Sequence, residues 1–172
     1  MHIKVKQLAF PGVMAAFSVV LMLLGNIIES STLFFTAAAS FLVGVAIFIC
    51  GNKRGIVFFL VCVALIFLLL PNKMYCLTYS AFGLYILVRE MAGKHMTKKA
   101  IWWGCKYLVF NIIYIPLLLI TPTLFINVSL TLPLYIVFIA VGQIALLIFD
   151  IAYEQFMRLR FIRNFIESFH QL

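Results

Sequence analysis

The sequence predicts an all-α, polytopic membrane protein: a bundle of about six transmembrane helices with the N- and C-termini cytoplasmic. Three observations carry this. Of 172 residues, 66% are hydrophobic and only 10% charged, and the mean hydropathy is +1.18. A soluble domain of this size has too much surface for its volume to hide so many apolar side chains. The apolar residues fall into six runs separated by short polar stretches. The basic residues cluster in alternate stretches, as cytoplasmic loops of membrane proteins do.

A helix needs roughly 20 apolar residues to cross about 30 Å of hydrocarbon. The first run, Leu8 to Ile28, ends at Glu29-Ser30-Ser31-Thr32, where Ser31 or Thr32 can cap the next helix. Lys4 and Lys6 ahead of it resemble a signal peptide, but no good cleavage site follows, so an uncleaved helix is expected. The second run, Leu33 to Cys50, stops at Gly51-Asn52-Lys53-Arg54-Gly55. The third, Ile56 to Leu70, stops at Pro71-Asn72-Lys73, and the fourth is Met74 to Val88. Both are short for a full span and imply tilt or a thin bundle. After the polar stretch from Arg89 to Lys99, a fifth run goes from Ala100 to Ile120, with Pro116 expected to bend its outer end. Thr121 to Leu132 reads as an uncharged connection, either a plain outer loop or one that dips back toward the membrane, and the sixth run is Leu134 to Tyr153. The first three connections are so short that sequential helices must be antiparallel neighbours.

With the N-terminus inside, inner segments hold Lys4, Lys6, Lys53, Arg54, Arg89, Lys94, Lys98, Lys99, Arg158, Arg160 and Arg163. Lys106 sits in the inner turn of the fifth run, and the outer segments hold only Lys73. That imbalance sets both termini inside. Trp102, Trp103 and Tyr107 then read as an inner aromatic belt, and Tyr75 with Tyr79 as an outer one. In this topology Cys76 should meet an impermeant maleimide from outside more readily than Cys50. One domain, residues 1–155, is expected to hold the bundle. A basic amphipathic tail, 156–172, has Phe156, Leu159, Ile162, Phe165, Ile166 and Phe169 along one stripe. It can lie on the inner leaflet or dock on a cytoplasmic partner.

Net charge is +8, yet no basic, aromatic-studded polar face is present, so nucleic acid is not an expected partner. Cys50, Cys62, Cys76 and Cys105 form neither a C-x-x-C pair nor a Cys/His metal pattern, and no metal or other cofactor is expected. No P-loop, H-E-x-x-H or G-x-S-x-G motif occurs, and the hydroxyls of Ser18, Thr36, Ser40, Thr78 and Ser80 have no base beside them in sequence. No catalytic residue is assigned, and the protein is expected not to be an enzyme.

Four polar features remain. Glu29, with Asn26 and Ser30 beside it, is the only outer acid and Lys73 the only outer base. Either they line a polar pocket or pair, or each marks a loop at the interface. Asn111 and Gln143 fall near the middle of their helices. An interhelical hydrogen bond between them is the favoured reading, a ligand contact the other. Asp150 and Glu154 stand one turn apart with Arg158 a turn further on. They read as a solvated salt-bridge ladder rather than a metal or proton site. Small residues at four-residue spacing, Gly12-x-x-x-Ala16 and Ser40-x-x-x-Gly44, mark helix-packing faces, within the chain or toward a partner.

Six short helices, the inferred inside termini and the Gly12-x-x-x-Ala16 stripe resemble the substrate-binding S components of energy-coupling factor transporters. Glu29-Ser30-Ser31-Thr32 and Pro71-Asn72-Lys73 are also similar to bacterial membrane proteins of unknown function. The resemblance implies a bacterial plasma-membrane subunit that binds a small solute from outside and partners a T component and two ATPases. Asn26, Glu29, Asn72, Lys73, Tyr75 and Tyr79 would then supply the binding residues. The alternative is a non-transporting membrane anchor or assembly subunit that docks a partner through its packing stripes and basic tail.

Overall fold

The computed structural model describes residues 2–93, 99–125 and 132–159. They form six long helices: α1 (His2–Ile27), α2 (Thr32–Cys50), α3 (Asn52–Leu69), α4 (Lys73–Gly93), α5 (Lys99–Phe125) and α6 (Leu132–Arg158). Of the expected 121–132 connection, Thr121–Phe125 instead continues α5 and Leu132 opens α6; residues 126–131, and the tail beyond Leu159, lie outside the described residues.

Every helix is longer than the apolar run that announced it. The polar residues at its ends lose nothing by being helical once water or a neighbour satisfies them. α4 therefore carries Arg89 and Glu90 on its last turns instead of in a loop, and α5 passes through Pro116 and Pro122 to Phe125. Four helical segments among the described residues are long and apolar enough to cross a membrane: Phe10–Ile27, Thr32–Cys50, Asn52–Leu69 and Ile136–Arg158. Their outward faces carry Val13, Phe17, Leu68, Ile144 and Ile148, all exposed. The chain is a membrane protein, with lipid as the solvent of these faces.

Turn chemistry fixes the first hairpins. Gly51 takes a φ of 84° between α2 and α3, a left-handed conformation that glycine adopts without a Cβ penalty. The α1–α2 link is a single 3-10 turn, Glu29–Ser31. Ser31 occupies the N-cap of α2 but makes no side-chain capping bond. Thr32 instead donates its hydroxyl to the Gly25 carbonyl at 3.0 Å, tying the two helices together. The expected hydroxyl cap is thus replaced by an interhelical bond, because the tight turn already directs the chain.

α2 is the hub, packed against α1, α3, α4 and one end of α6. Its Ala39, Ser40, Val43, Gly44, Ala46 and Ile47 are buried. Small side chains are what admit four neighbours to one helix. A Cβ on Gly44 would lie 2.1 Å from the Tyr153 hydroxyl, so the missing side chain is what lets α6 approach. α1 packs on α2 and α3 with Met14, Ala15, Ser18, Val19 and Met22 buried, and Ser18 donates to the Ala39 carbonyl of α2 at 3.4 Å. Gly12 and Ala16 are exposed on its other side, and a Cβ on Gly12 would meet nothing within 4 Å.

α6 runs antiparallel to α5. Tyr114 donates to the Phe138 carbonyl at 2.9 Å, Gln143 Nε2 to Asn111 Oδ1 at 2.7 Å, and Lys106 Nζ to Asp150 Oδ2 at 2.7 Å. α6 runs parallel to α4, with Tyr85 bonded to Asp150 and Arg89 to Glu154. An aromatic seam joins α2, α4 and α6. Phe149 stacks on Phe82 at 4.6 Å and meets Phe41 at 5.3 Å, while Phe41 also touches Tyr153 and Phe156.

Candidate functional site: an apolar cavity above a buried charge cluster

Two features distinguish the α4–α5–α6 side of the bundle. Near the Gly51 end, four charged side chains converge from three helices. Arg89 of α4, Lys106 of α5 and Asp150 of α6 have side chains only 6%, 3% and 4% exposed. Asp150 is ion-paired with Arg89 Nε at 3.2 Å and accepts from Lys106 Nζ at 2.7 Å and from the Tyr85 hydroxyl at 3.0 Å. Glu154, one turn along, accepts from Arg89 Nη2 at 2.9 Å and Lys106 at 3.4 Å. Two cations face two anions, so the cluster is balanced. The Arg89 guanidinium also lies 4.5 Å over the Tyr153 ring, and Tyr153 donates to Glu90 at 2.9 Å. Lys106 sits beside Trp102 and Trp103, at 5.2 and 4.9 Å from their ring centres. Arg89 Nη1 is buried with no hydrogen-bond partner among the described residues.

This corrects the reading of Asp150 and Glu154 as a solvated ladder. Only its lower rung has that character: Glu154 and Arg158 approach at 3.9 Å, 42% and 75% exposed. Asp150 is the opposite case, a carboxylate held in the interior by two cations. Spacing along α6 shows Arg158 as its neighbour's partner but cannot show that Arg89 and Lys106 arrive from elsewhere. A buried charge is tolerated only when paired and hydrogen-bonded, and here every oxygen of Asp150 is.

Toward the Pro71 end the three helices separate and leave a cavity of about 260 Å³. Thr78, Phe82 and Tyr85 wall it from α4, Phe110 and Tyr114 from α5, and Val141, Gly142 and Phe149 from α6. Gly142 shapes it: a Cβ there would meet the Tyr114 ring at 2.5 Å. The floor is Tyr85, whose hydroxyl belongs to the charge cluster. The cavity and the cluster therefore share one residue.

The six residues expected to bind a solute are positioned differently. Asn72 accepts the Met74 N–H at 3.0 Å and so caps α4. Lys73 Nζ donates to the Phe67 and Leu70 carbonyls and lies 4.5 Å over the Phe67 ring, closing the C-terminus of α3. Tyr79 is fully buried among α1, α3 and α4, 3.3 Å from Ser18 Oγ and stacked on Phe59, not in an aromatic belt. Tyr75 is half-buried against the core, and Asn26 is half-buried near the end of α1. The Glu29 side chain lies outside the described residues. None of Asn26, Asn72, Lys73, Tyr75 or Tyr79 is among the cavity walls. Cys76 is buried, with its thiol 3.7 Å from the Val63 carbonyl, so its labelling reports packing more than sidedness.

Among the described residues no group of three or more His, Cys, Asp or Glu side chains could hold a metal ion. No protein-family model, curated protein or solved structure matches the chain.

Proposed function

We propose that this chain is a six-span subunit of a bacterial plasma membrane, with both termini in the cytoplasm, and that it binds a small solute in the α4–α5–α6 cavity. The cavity carries the reading. A 260 Å³ space walled by α4, α5 and α6 with Leu33 of α2 at its rim is costly in lost packing unless something fills it. The charge imbalance between alternate connections supports the orientation. The cavity then occupies the outer half of the bundle and the charge cluster its inner end. Uptake as the solute-binding component of an energy-coupled transporter fits this layout, with a T component and ATPases as partners.

The test is binding by the purified protein in nanodiscs. Ala81→Phe or Ala145→Phe, each filling the cavity from its wall, should abolish saturable solute binding while the protein stays folded. Orientation is read from single cysteines in a background lacking the native ones. Asn72→Cys should react with an impermeant maleimide from outside and Lys53→Cys should not.

A second reading, an anchor or assembly subunit, draws on the exposed Gly12 and Ala16 face of α1, where another helix backbone can approach closely. Gly12→Leu should then release a co-purifying membrane partner without altering solute binding.

A further inference from the structure

The hydrogen bonds around the cavity restrict what can occupy it. Among the described residues three hydroxyls lie in its wall, and each has already spent its hydrogen. Thr78 donates to the Met74 carbonyl at 2.9 Å, Tyr85 to Asp150 at 3.0 Å and Tyr114 to the Phe138 carbonyl at 2.9 Å. A hydroxyl has one donor hydrogen and two acceptor lone pairs, so what the described residues offer the cavity is acceptor capacity alone. The nearby cations do not reach it: Arg89 and Lys106 are absent from its walls and are engaged by Asp150 and Glu154. An acceptor-only or anionic ligand would be buried without a donor, which is strongly unfavourable. A full cation would find aromatic faces but, among the described residues, no free carboxylate, since Asp150 is already neutralised by two cations.

Shape narrows the class further. Phe82, Tyr85, Phe110, Tyr114 and Phe149 supply flat walls. Engineered cavities of about 150 Å³ hold a single benzene ring, so 260 Å³ admits a larger ring frame. The rim includes Leu33 and Val141, 69% and 55% exposed on the apolar surface of the bundle, so the opening faces lipid.

We propose that the cavity takes a neutral, flat, mostly apolar molecule bearing a hydrogen-bond donor, and that it enters from the bilayer. This rests on the solute-binding reading above and specifies its ligand.

The experiment uses three probes on one frame: 2-naphthalenemethanol, 2-naphthoate and 2-naphthylmethylammonium. Each is titrated calorimetrically into the full chain in nanodiscs, with empty nanodiscs as the blank for partitioning. The alcohol should bind saturably, at least about tenfold more tightly than either ion, and Ala81→Phe and Ala145→Phe should each remove that binding. Protection of the buried Cys62 thiol from labelling verifies that both variants are folded. If either ion binds as tightly as the alcohol and remains sensitive to the filling variants, the ligand class is wrong and the cavity is still a site. If no probe binds above the blank, or the folded filling variants leave binding unchanged, both the ligand class and the solute-binding reading fall.

Discussion

Asp150→Asn removes one charge from the centre of the buried cluster and almost nothing else. The amide keeps an oxygen for the Tyr85 hydroxyl, but the ion pairs at 3.2 and 2.7 Å to Arg89 and Lys106 are lost. Breaking a buried ion pair from one side costs about 3–5 kcal/mol, because the remaining charge is left without compensation. Glu154 still holds Arg89 at 2.9 Å and Lys106 at 3.4 Å, which places the loss at the lower end, about 3 kcal/mol. That is roughly a hundredfold in the folding equilibrium. The assay is SDS titration of the purified protein, with thiol labelling at Cys62, fully buried in the fold, as the reporter. Lys106→Met alone should cost a similar amount. The double variant leaves Arg89 and Glu154 balanced one to one, so it should cost about 1 kcal/mol, well short of additivity. A single-variant loss within about 0.5 kcal/mol of zero, or a fully additive double variant, would refute the claim that these charges are buried and mutually dependent.

Gly44→Ala should cost about 1–3 kcal/mol by pushing Tyr153 off α2, whereas Gly12→Ala should leave the same titration curve unmoved. Replacing Gln143 with Leu removes its 2.7 Å bond to Asn111 and should cost about 0.6 kcal/mol, the scale of hydrogen bonds between membrane helices; a loss several times larger would mean the amide pair belongs to a wider polar network. Lys73→Met should weaken the end of α3 by about 0.3–1 kcal/mol, measured by SDS titration. A calorimetric loss of probe binding exceeding that change in stability would return Lys73 to a binding role.

Much of the fold was legible in the chain because the bilayer enforces a simple rule. Backbone groups in hydrocarbon must bond within their own segment, so apolar runs become helices. The six runs and the Gly51 turn follow from that rule and from glycine's freedom at positive φ. Helix ends were less legible. Arg89 and Glu90 read as a loop in the sequence but are helical, because charge marks only the end of the apolar run and not of the helix. The candidate site was least legible. Asn72 and Lys73 stand out as isolated polar residues near lipid, but their partners are backbone groups two to six residues away. Lone polarity in a turn signals capping as readily as binding.

The sequence by itself determined that this protein lives in a membrane, how many long helices it has and which of them are sequential neighbours. Composition, run length and turn length settle those matters locally. Only the tertiary structure decided that Arg89, Lys106 and Asp150 meet, that Gly44 makes room for Tyr153, and that α4, α5 and α6 part to form a cavity. These depend on the rotation of each helix about its axis and on contacts between residues 44 to 109 positions apart. A helical repeat of 3.6 residues leaves that rotation open when nearly every face of the helix is apolar, and packing alone selects it.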